Sequence, residues 1–380
     1  MSRLLEQIIV PSASPLPLAC YWARLLGGRV LEPAADRAVV APPDGVKLVF
    51  ELSERGQPSS FGVRVHDRDN GIDQVLRTGG HAIADQVADP EGNLIRLLVD
   101  DTVAPVLSGS SSFRRYVAIG DSNTEGLVDS DGAGGWRGWA DRFAAQLAST
   151  TSPGLEYANL AISGLRVADI RERQFDAAIA MQPDLLTFTG GINDVIGLRP
   201  DFVSITAYLN EMFSTATAAG IRVLTFTNPD LGRANPLATV VRERMHTLNR
   251  ILREAALLHG VELIDFEQVP MASDPRLWGE DRLHLNTLGH TLVGAALSWL
   301  VGVPGADRDW MTDLDARMIV HAKPRMGDHL QWTMRHFGPW VVSGIRGPQY
   351  RSGREAKRPQ LVPVELEREV QVDQGAADRS

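Results

Sequence analysis

Apolar and polar positions over the first hundred residues fall into two matching series. Leu5–Val10 is a short apolar run that predicts a strand, and Leu16–Leu26 has helical spacing that ends at Gly27-Gly28, a C-cap pattern. Arg29–Leu31, Ala38–Ala41 and Val46–Leu52 predict strands separated by turn residues. The order then restarts. Phe61–Val65 alternates like a strand, Asp69–Arg77 is helical, and Gly79-Gly80 stops it. Ile83–Val87 and Leu94–Val99 predict strands, with Asp89-Pro90-Glu91-Gly92-Asn93 as the turn between them. A β-α-β series repeated in tandem predicts a smaller α+β domain of two βαβββ-like modules, assigned to residues 1–104.

Residues 105–112 include Ser-Gly-Ser-Ser-Ser, a linker composition. Beyond it the pattern changes. Strands are predicted at Phe113–Ile119, Tyr157–Leu160, Leu185–Thr189, Ile221–Phe226 and Val261–Ile264. Helices are predicted at Trp136–Leu147, Ala168–Met181, Phe202–Ala219, Leu237–His259 and Asn286–Leu300. Strands alternating with long helical crossovers predict an α/β fold, a three-layer α/β/α arrangement around a parallel sheet, over residues 113–304. Residues 305–380 form a tail expected to be partly ordered. It has a helix candidate at Asp328–Phe337 and a basic cluster of Arg346, Arg351, Arg354, Lys357 and Arg358. That cluster reads as a solvated or packed tail before it reads as an anion-binding surface.

At 380 residues the chain exceeds one ordinary core, which fits two domains. Lys plus Arg number 38 against 47 Asp plus Glu, a net charge of −9 that gives no general attraction to nucleic acid. The single cysteine, Cys20, excludes an internal disulfide and polycysteine zinc sites, and fits a cytoplasmic location. No targeting segment is apparent, because Glu6, Gln7 and Pro11 break the N-terminal apolar run. The longest apolar stretch, Leu292–Pro304, is shorter than a membrane span requires.

Four polar blocks follow the predicted elements, where a parallel sheet binds ligands beyond its strand ends. They are Gly120-Asp121-Ser122, Asn159 to Gly164, Gly191-Ile192-Asn193-Asp194 and Asp281-Arg282-Leu283-His284. Together they supply the parts of an acyl-transfer site. Ser122 is the candidate nucleophile and His284 the base that activates it. Asp281, three residues before His284, is placed to orient the imidazole. The Ser122 and Gly164 backbone N–H groups and the Asn193 amide are candidate oxyanion donors. Blander roles stand beside these: Ser122 or Asp281 as a helix cap, Asn193 and Gly164 as loop formers. Asp121 and Asp194 read as loop-structuring carboxylates, His246, His259 and His290 as ordinary histidines, and Arg166 as an exposed loop residue.

These blocks closely resemble the SGNH hydrolases, or GDSL esterase/lipase family, over roughly residues 113–303, with the family letters on Ser122, Gly164, Asn193 and His284. The resemblance implies a cofactor-free serine esterase that hydrolyses carboxylic esters of small molecules through an acyl-serine intermediate. The chain has no Gly-x-Ser-x-Gly elbow, which argues against the α/β-hydrolase alternative. Tyr21-Trp22, Leu26-Gly27 and Asp89-Pro90-Glu91-Gly92-Asn93 resemble the vicinal-oxygen-chelate fold of glyoxalases. Metal-using members of that family draw ligands from both modules. Gln7 and Glu51 match two of those positions, whereas Ser60 and Arg96 occupy the other two and are not ligands. His66 and His81 lie near the sheet but not at ligand positions. The expectation is a metal-free domain. The alternative functions are a metal-dependent lyase or dioxygenase, or a small-molecule-binding protein, acting through this domain. The acyl and alcohol groups, and the oligomeric state, are not encoded in these motifs.

Overall fold

A computed structural model describes residues 7–43, 47–53, 60–65, 67–83, 86–99, 112–197, 199–230, 241–314 and 355–365. The helix candidate at 328–337, His66 and the cluster residues Arg346, Arg351 and Arg354 lie outside the described residues.

The first series folds as β1 (Gln7–Ser12), α1 (Pro15–Leu25), β2 (Arg29–Pro33), β3 (Arg37–Ala41) and β4 (Lys47–Leu52). The second folds as β5 (Ser60–Val65), α2 (Arg68–Thr78), β6 (His81–Ile83), β7 (Gln86–Ala88) and β8 (Leu94–Val99). The two sheets have the same topology, β1-β4-β3-β2 and β5-β8-β7-β6, with the first and last strand of each module parallel. The stretch read as one strand at 83–87 is instead divided between β6 and β7, which pair antiparallel. Val10, Leu18, Tyr21, Trp22, Phe50, Val65 and Val75 share one buried cluster across both modules. The Asp89–Asn93 turn fastens them. The Trp22 indole N–H donates to Asp89 Oδ2 at 2.9 Å, and Glu91 accepts from Ser12 Oγ and from the Ser14 N–H, each at 2.8 Å.

The larger unit contains β9 (Arg115–Gly120), α3 (Ser122–Glu125), α4 (Gly138–Thr150), β10 (Glu156–Asn159), α5 (Val167–Ile170) and α6 (Asp176–Ala180). It continues through β11 (Leu185–Thr189), α7 (Ile192–Ile196), α8 (Phe202–Ala218), β12 (Arg222–Phe226), α9 (Arg242–His259), β13 (Glu262–Ile264) and α10 (Thr287–Leu300). Its sheet runs β13-β12-β11-β9-β10 with every pair parallel. The strands are apolar and buried on both sides because helices cover both faces. Between α5 and α6 the helix predicted over 168–181 takes one π turn, Arg171–Phe175.

The tail adds β14 (Arg358–Pro363), antiparallel to β10 and unforeseen in the sequence. Lys357 anchors it, donating to the Trp136 and Arg137 carbonyls at 3.0 and 2.9 Å and to Asp141 Oδ2 at 2.6 Å. Arg358 lies over the Tyr157 ring, 5.2 Å from its centroid. These two members of the basic cluster are therefore used internally. At the opposite edge, α2 packs on β13 and α1 on α9. Among the described residues no helix is long and apolar enough to cross a membrane.

Candidate active site

The chain reaches Ser122 by leaving the sheet at Gly120. The φ of Gly120 is +156°, and a Cβ there would collide with Thr124 and with the Thr189 carbonyl, so the turn is written for glycine. Gln174, delivered by the π turn and only 1% exposed, grips that residue. Its Oε1 accepts the Gly120 N–H at 2.8 Å and its Nε2 donates to the Gly120 carbonyl at 2.9 Å. Asp121 is the N-cap of α3 and accepts the Asn123 N–H at 3.2 Å. Ser122 thus opens a helical turn rather than capping it. Its own N–H donates to no described residue.

His284 approaches on a tight loop after the last crossover. The loop is closed by the Gly279 N–H on the His284 carbonyl at 2.8 Å. Asp281 Oδ1 accepts the Leu283 and His284 N–H groups, each at 3.0 Å, while Oδ2 meets His284 Nδ1 at 2.6 Å. Hydrogen bonds from His284 hold the Asp281 carboxyl below its ordinary range, against the opposing effect of burial. The other imidazole nitrogen, Nε2, lies 2.9 Å from Ser122 Oγ across 162 residues of sequence. Asn286, not Asp281, caps α10.

The remaining donors come from two loops. Gly164 has φ +81°, a left-handed conformation, and its N–H donates to no described residue. Glu125 steadies that loop by accepting the Ser163 N–H at 2.7 Å. Asn193 sits on α7 with its Nδ2 2.9 Å from the Leu165 carbonyl and 3.3 Å from Asp121 Oδ2. One amide therefore ties α7 to both the Asp121 and the Leu165 loops. Asp121 is 2% exposed, and burial pushes its carboxyl up to about 7, with the nearby Asp194 charge adding to the shift. Asp194 itself accepts the Val167 N–H at 3.1 Å and is pushed up to about 6, again by burial. Gln174 and Glu125 were not singled out in the sequence, where each looks like an ordinary polar helix residue.

The other candidates fall elsewhere. Arg166 is exposed. His290 is fully buried; its Nδ1 accepts the Trp139 N–H at 3.1 Å, which makes it a structural residue joining α10 to α4. In the first domain Gln7 pairs with Lys47 and Glu51 with Pro11, four residues further along the strand. That separation is about 13 Å, too far for one ion. Glu51 lies 3.5 Å from Arg37. Ser60 and Arg96 lie on β5 and β8, both exposed, and His81 faces Trp299 and Trp310 of the larger unit. Among the described residues no three His, Cys, Asp or Glu side chains gather in a metal-binding group.

Residues 118–292 match the model of the GDSL-like Lipase/Acylhydrolase family, and residues 7–98 match a Glyoxalase-like domain. No curated protein matches the chain. Solved structures similar to it include LAE5, an alpha/beta hydrolase enzyme from the metagenome of Lake Arreo (23% identity, 51% of this chain, 98% of that one, TM-score 0.43). Another is Axe2, an acetylxylan esterase from Geobacillus stearothermophilus (21% identity, 50% and 94%, TM-score 0.43). A third is a lipase/acylhydrolase from Enterococcus faecalis (24% identity, 48% and 93%, TM-score 0.40). The chain carries a glyoxalase-like domain over residues 7–98 and, over residues 118–292, a domain of the GDSL-like lipase/acylhydrolase family.

Proposed function

We propose that the protein is a serine esterase in which Ser122, His284 and Asp281 act as a catalytic triad. The observation that carries this reading is the continuous path from Ser122 Oγ to His284 Nε2 at 2.9 Å and from His284 Nδ1 to Asp281 Oδ2 at 2.6 Å. Ser122 Oγ attacks the ester carbonyl carbon and its proton passes to His284 Nε2. Asp281 keeps the Nδ1 proton in place and stabilises the imidazolium. The tetrahedral oxyanion is received by the Ser122 and Gly164 N–H groups and by Asn193 Nδ2, which exchanges its long contact with Asp121 for the developing charge. Collapse expels the alcohol, which takes the proton from His284. Water, deprotonated by the same imidazole, then releases the carboxylic acid and restores Ser122. No step calls for a cofactor. The reaction is assigned to residues 113–304, with the first domain outside the chemistry; the linker read at 105–112 lies, but for Ser112, outside the described residues.

The test is Ser122→Ala. Loss of a triad nucleophile costs about 10⁴–10⁶ in kcat, and a fluorophosphonate should label Ser122 in the wild-type chain. Labelling of a different serine, with hydrolysis intact in the variant, would sink the assignment.

A further inference from the structure

Of the three oxyanion donors assigned above, two are backbone N–H groups and one, the Asn193 amide, is a side chain. A side-chain donor is placed only as well as the segment that bears it. That segment is α7, five residues long, and a helix so short is not stable by itself. Its N-cap is Gly191, which has no side chain to cap with, and its last carbonyls have no partners within the helix. Helix α9 braces both ends. At the first, the fully buried Leu248 packs so closely on Gly191 that a Cβ there would lie 2.8 Å from its methyl carbons. At the second, the half-buried Arg244 donates through Nη1 to the Val195 carbonyl at 3.3 Å and to the Gly197 carbonyl at 2.7 Å. Arg244 and Leu248 are four residues apart, so one face of α9 makes both contacts.

We propose that Arg244 is a positioning residue for ester hydrolysis: by holding the C-terminal end of α7 it sets where the Asn193 amide meets the developing oxyanion. The proposal rests on the esterase reading above and extends it to a residue outside the four polar blocks. Its hydrogen bonds go to the α7 backbone and not to the Asn193 side chain, so it acts through that helix. The two N–H bonds of Nη1 are fixed in the guanidinium plane and hold the two carbonyls at a set angle. A lysine ammonium rotates freely and fixes no such angle. The oxyanion exists only in the transition state, so the consequence falls on kcat rather than on substrate binding.

The experiment uses the full-length protein and p-nitrophenyl acetate, and compares Arg244→Met, Arg244→Lys, Asn193→Ala and the double variant Arg244→Met with Asn193→Ala. A donor displaced by about 1 Å costs up to about 10²-fold, so Arg244→Met should lower kcat by about 10–100-fold, with KM within about threefold. Arg244→Lys keeps a donor without the fixed angle and should fall between Arg244→Met and wild type. In the Asn193→Ala background there is no amide left to place, so Arg244→Met should cost at most about threefold more. If Arg244→Met does not fold, Arg244→Lys carries the same comparison in both backgrounds, with a loss of about threefold to tenfold expected beside an intact Asn193. An unchanged kcat in the folded variant overturns the proposal alone. So does a loss confined to KM, or an equal loss whether or not Asn193 is present, either of which makes Arg244 a structural residue. Hydrolysis that survives Ser122→Ala overturns the esterase reading underneath, and an unchanged kcat in folded Asn193→Ala overturns the oxyanion role of that amide.

Discussion

At Asn193 a single amide nitrogen meets the Leu165 carbonyl and Asp121 Oδ2, so its direction is set before any substrate arrives. Asn193→Ala should therefore lower kcat by about 10²–10³ with a much smaller change in KM, because the lost bond forms mainly in the transition state. Steady-state kinetics on a folded variant check this; an unchanged kcat would reduce Asn193 to a loop former. Asp121 supports a prediction about pH. Burial raises its carboxyl to about 7, above the value near 3.8 expected in the unfolded chain. The folded state therefore disfavours the ionised form. The Asp121 contribution to stability is fully present below pH ~4, is lost as pH rises towards 7, and stays lost above it. Asp121→Asn removes that loss. The urea midpoint of the variant relative to wild type should climb between pH 4 and 7, by an amount equivalent to a few kcal/mol, and then level off. A difference that does not vary with pH would mean that Asp121 does not titrate in this range.

Between α5 and α6 the helix departs from regular geometry beside the candidate site. A π turn, common near functional sites, carries Gln174 inward so that both ends of its amide hold Gly120, two residues before Ser122. Gln174→Leu keeps the volume but leaves the buried Gly120 N–H without an acceptor. That should cost about 1–3 kcal/mol of unfolding free energy. It should also lower kcat, since the β9 end would no longer be held. Chemical denaturation and kinetics on the same preparation test both; equal stability and activity would make the clamp incidental. The last strand teaches a different lesson. β14 contains Pro359 and Pro363, which cannot donate to a ladder, and on composition the segment reads as coil. Proline is admissible on an edge strand, and β14 is one.

The second module packs on β13 at one end of the large sheet, while at the other end β14 pairs with β10 and leaves an edge blunted by Pro359 and Pro363. Unpaired edges template aggregation, so such covers are expected. The first domain is attached through α9: Leu257 is buried in that domain's own cluster, and Ser14 Oγ donates to Glu254 at 3.0 Å. Arg77 lies over the Trp299 ring at 4.8 Å, and Arg308 pairs with Asp69 at 2.9 Å. A fragment beginning at Ser110 should retain ester hydrolysis, because Ser122, Gly164, Asn193, Asp281 and His284 all lie within it. Its melting temperature should fall below that of the full chain. Exposure of Leu257 alone forfeits about 1.5–3 kcal/mol. A soluble, folded fragment without activity would show that the first domain helps to build the site.

Residue order alone determined a good deal of this protein. Strand and helix positions up to residue 300 follow from local spacing and from glycine and proline punctuation, since an element's period is a property of its own residues. The repeated βαβββ series and the four polar blocks were legible for the same reason: each is contiguous. The exceptions include the short helices α3 and α7, the antiparallel pairing of β6 with β7, and the π turn at 171–175. Only the tertiary structure decided what meets what. Ser122 and His284 are 162 residues apart in sequence, and their 2.9 Å contact depends on the sheet order that brings both loops to one end. Gln174 and Glu125 adjoin the candidate site through hydrogen bonds to Gly120 and Ser163, and Lys357 is held to α4 by Asp141. None of these has a local signature, because a buried hydrogen bond is a relation between distant residues and exists only once the chain has closed on itself.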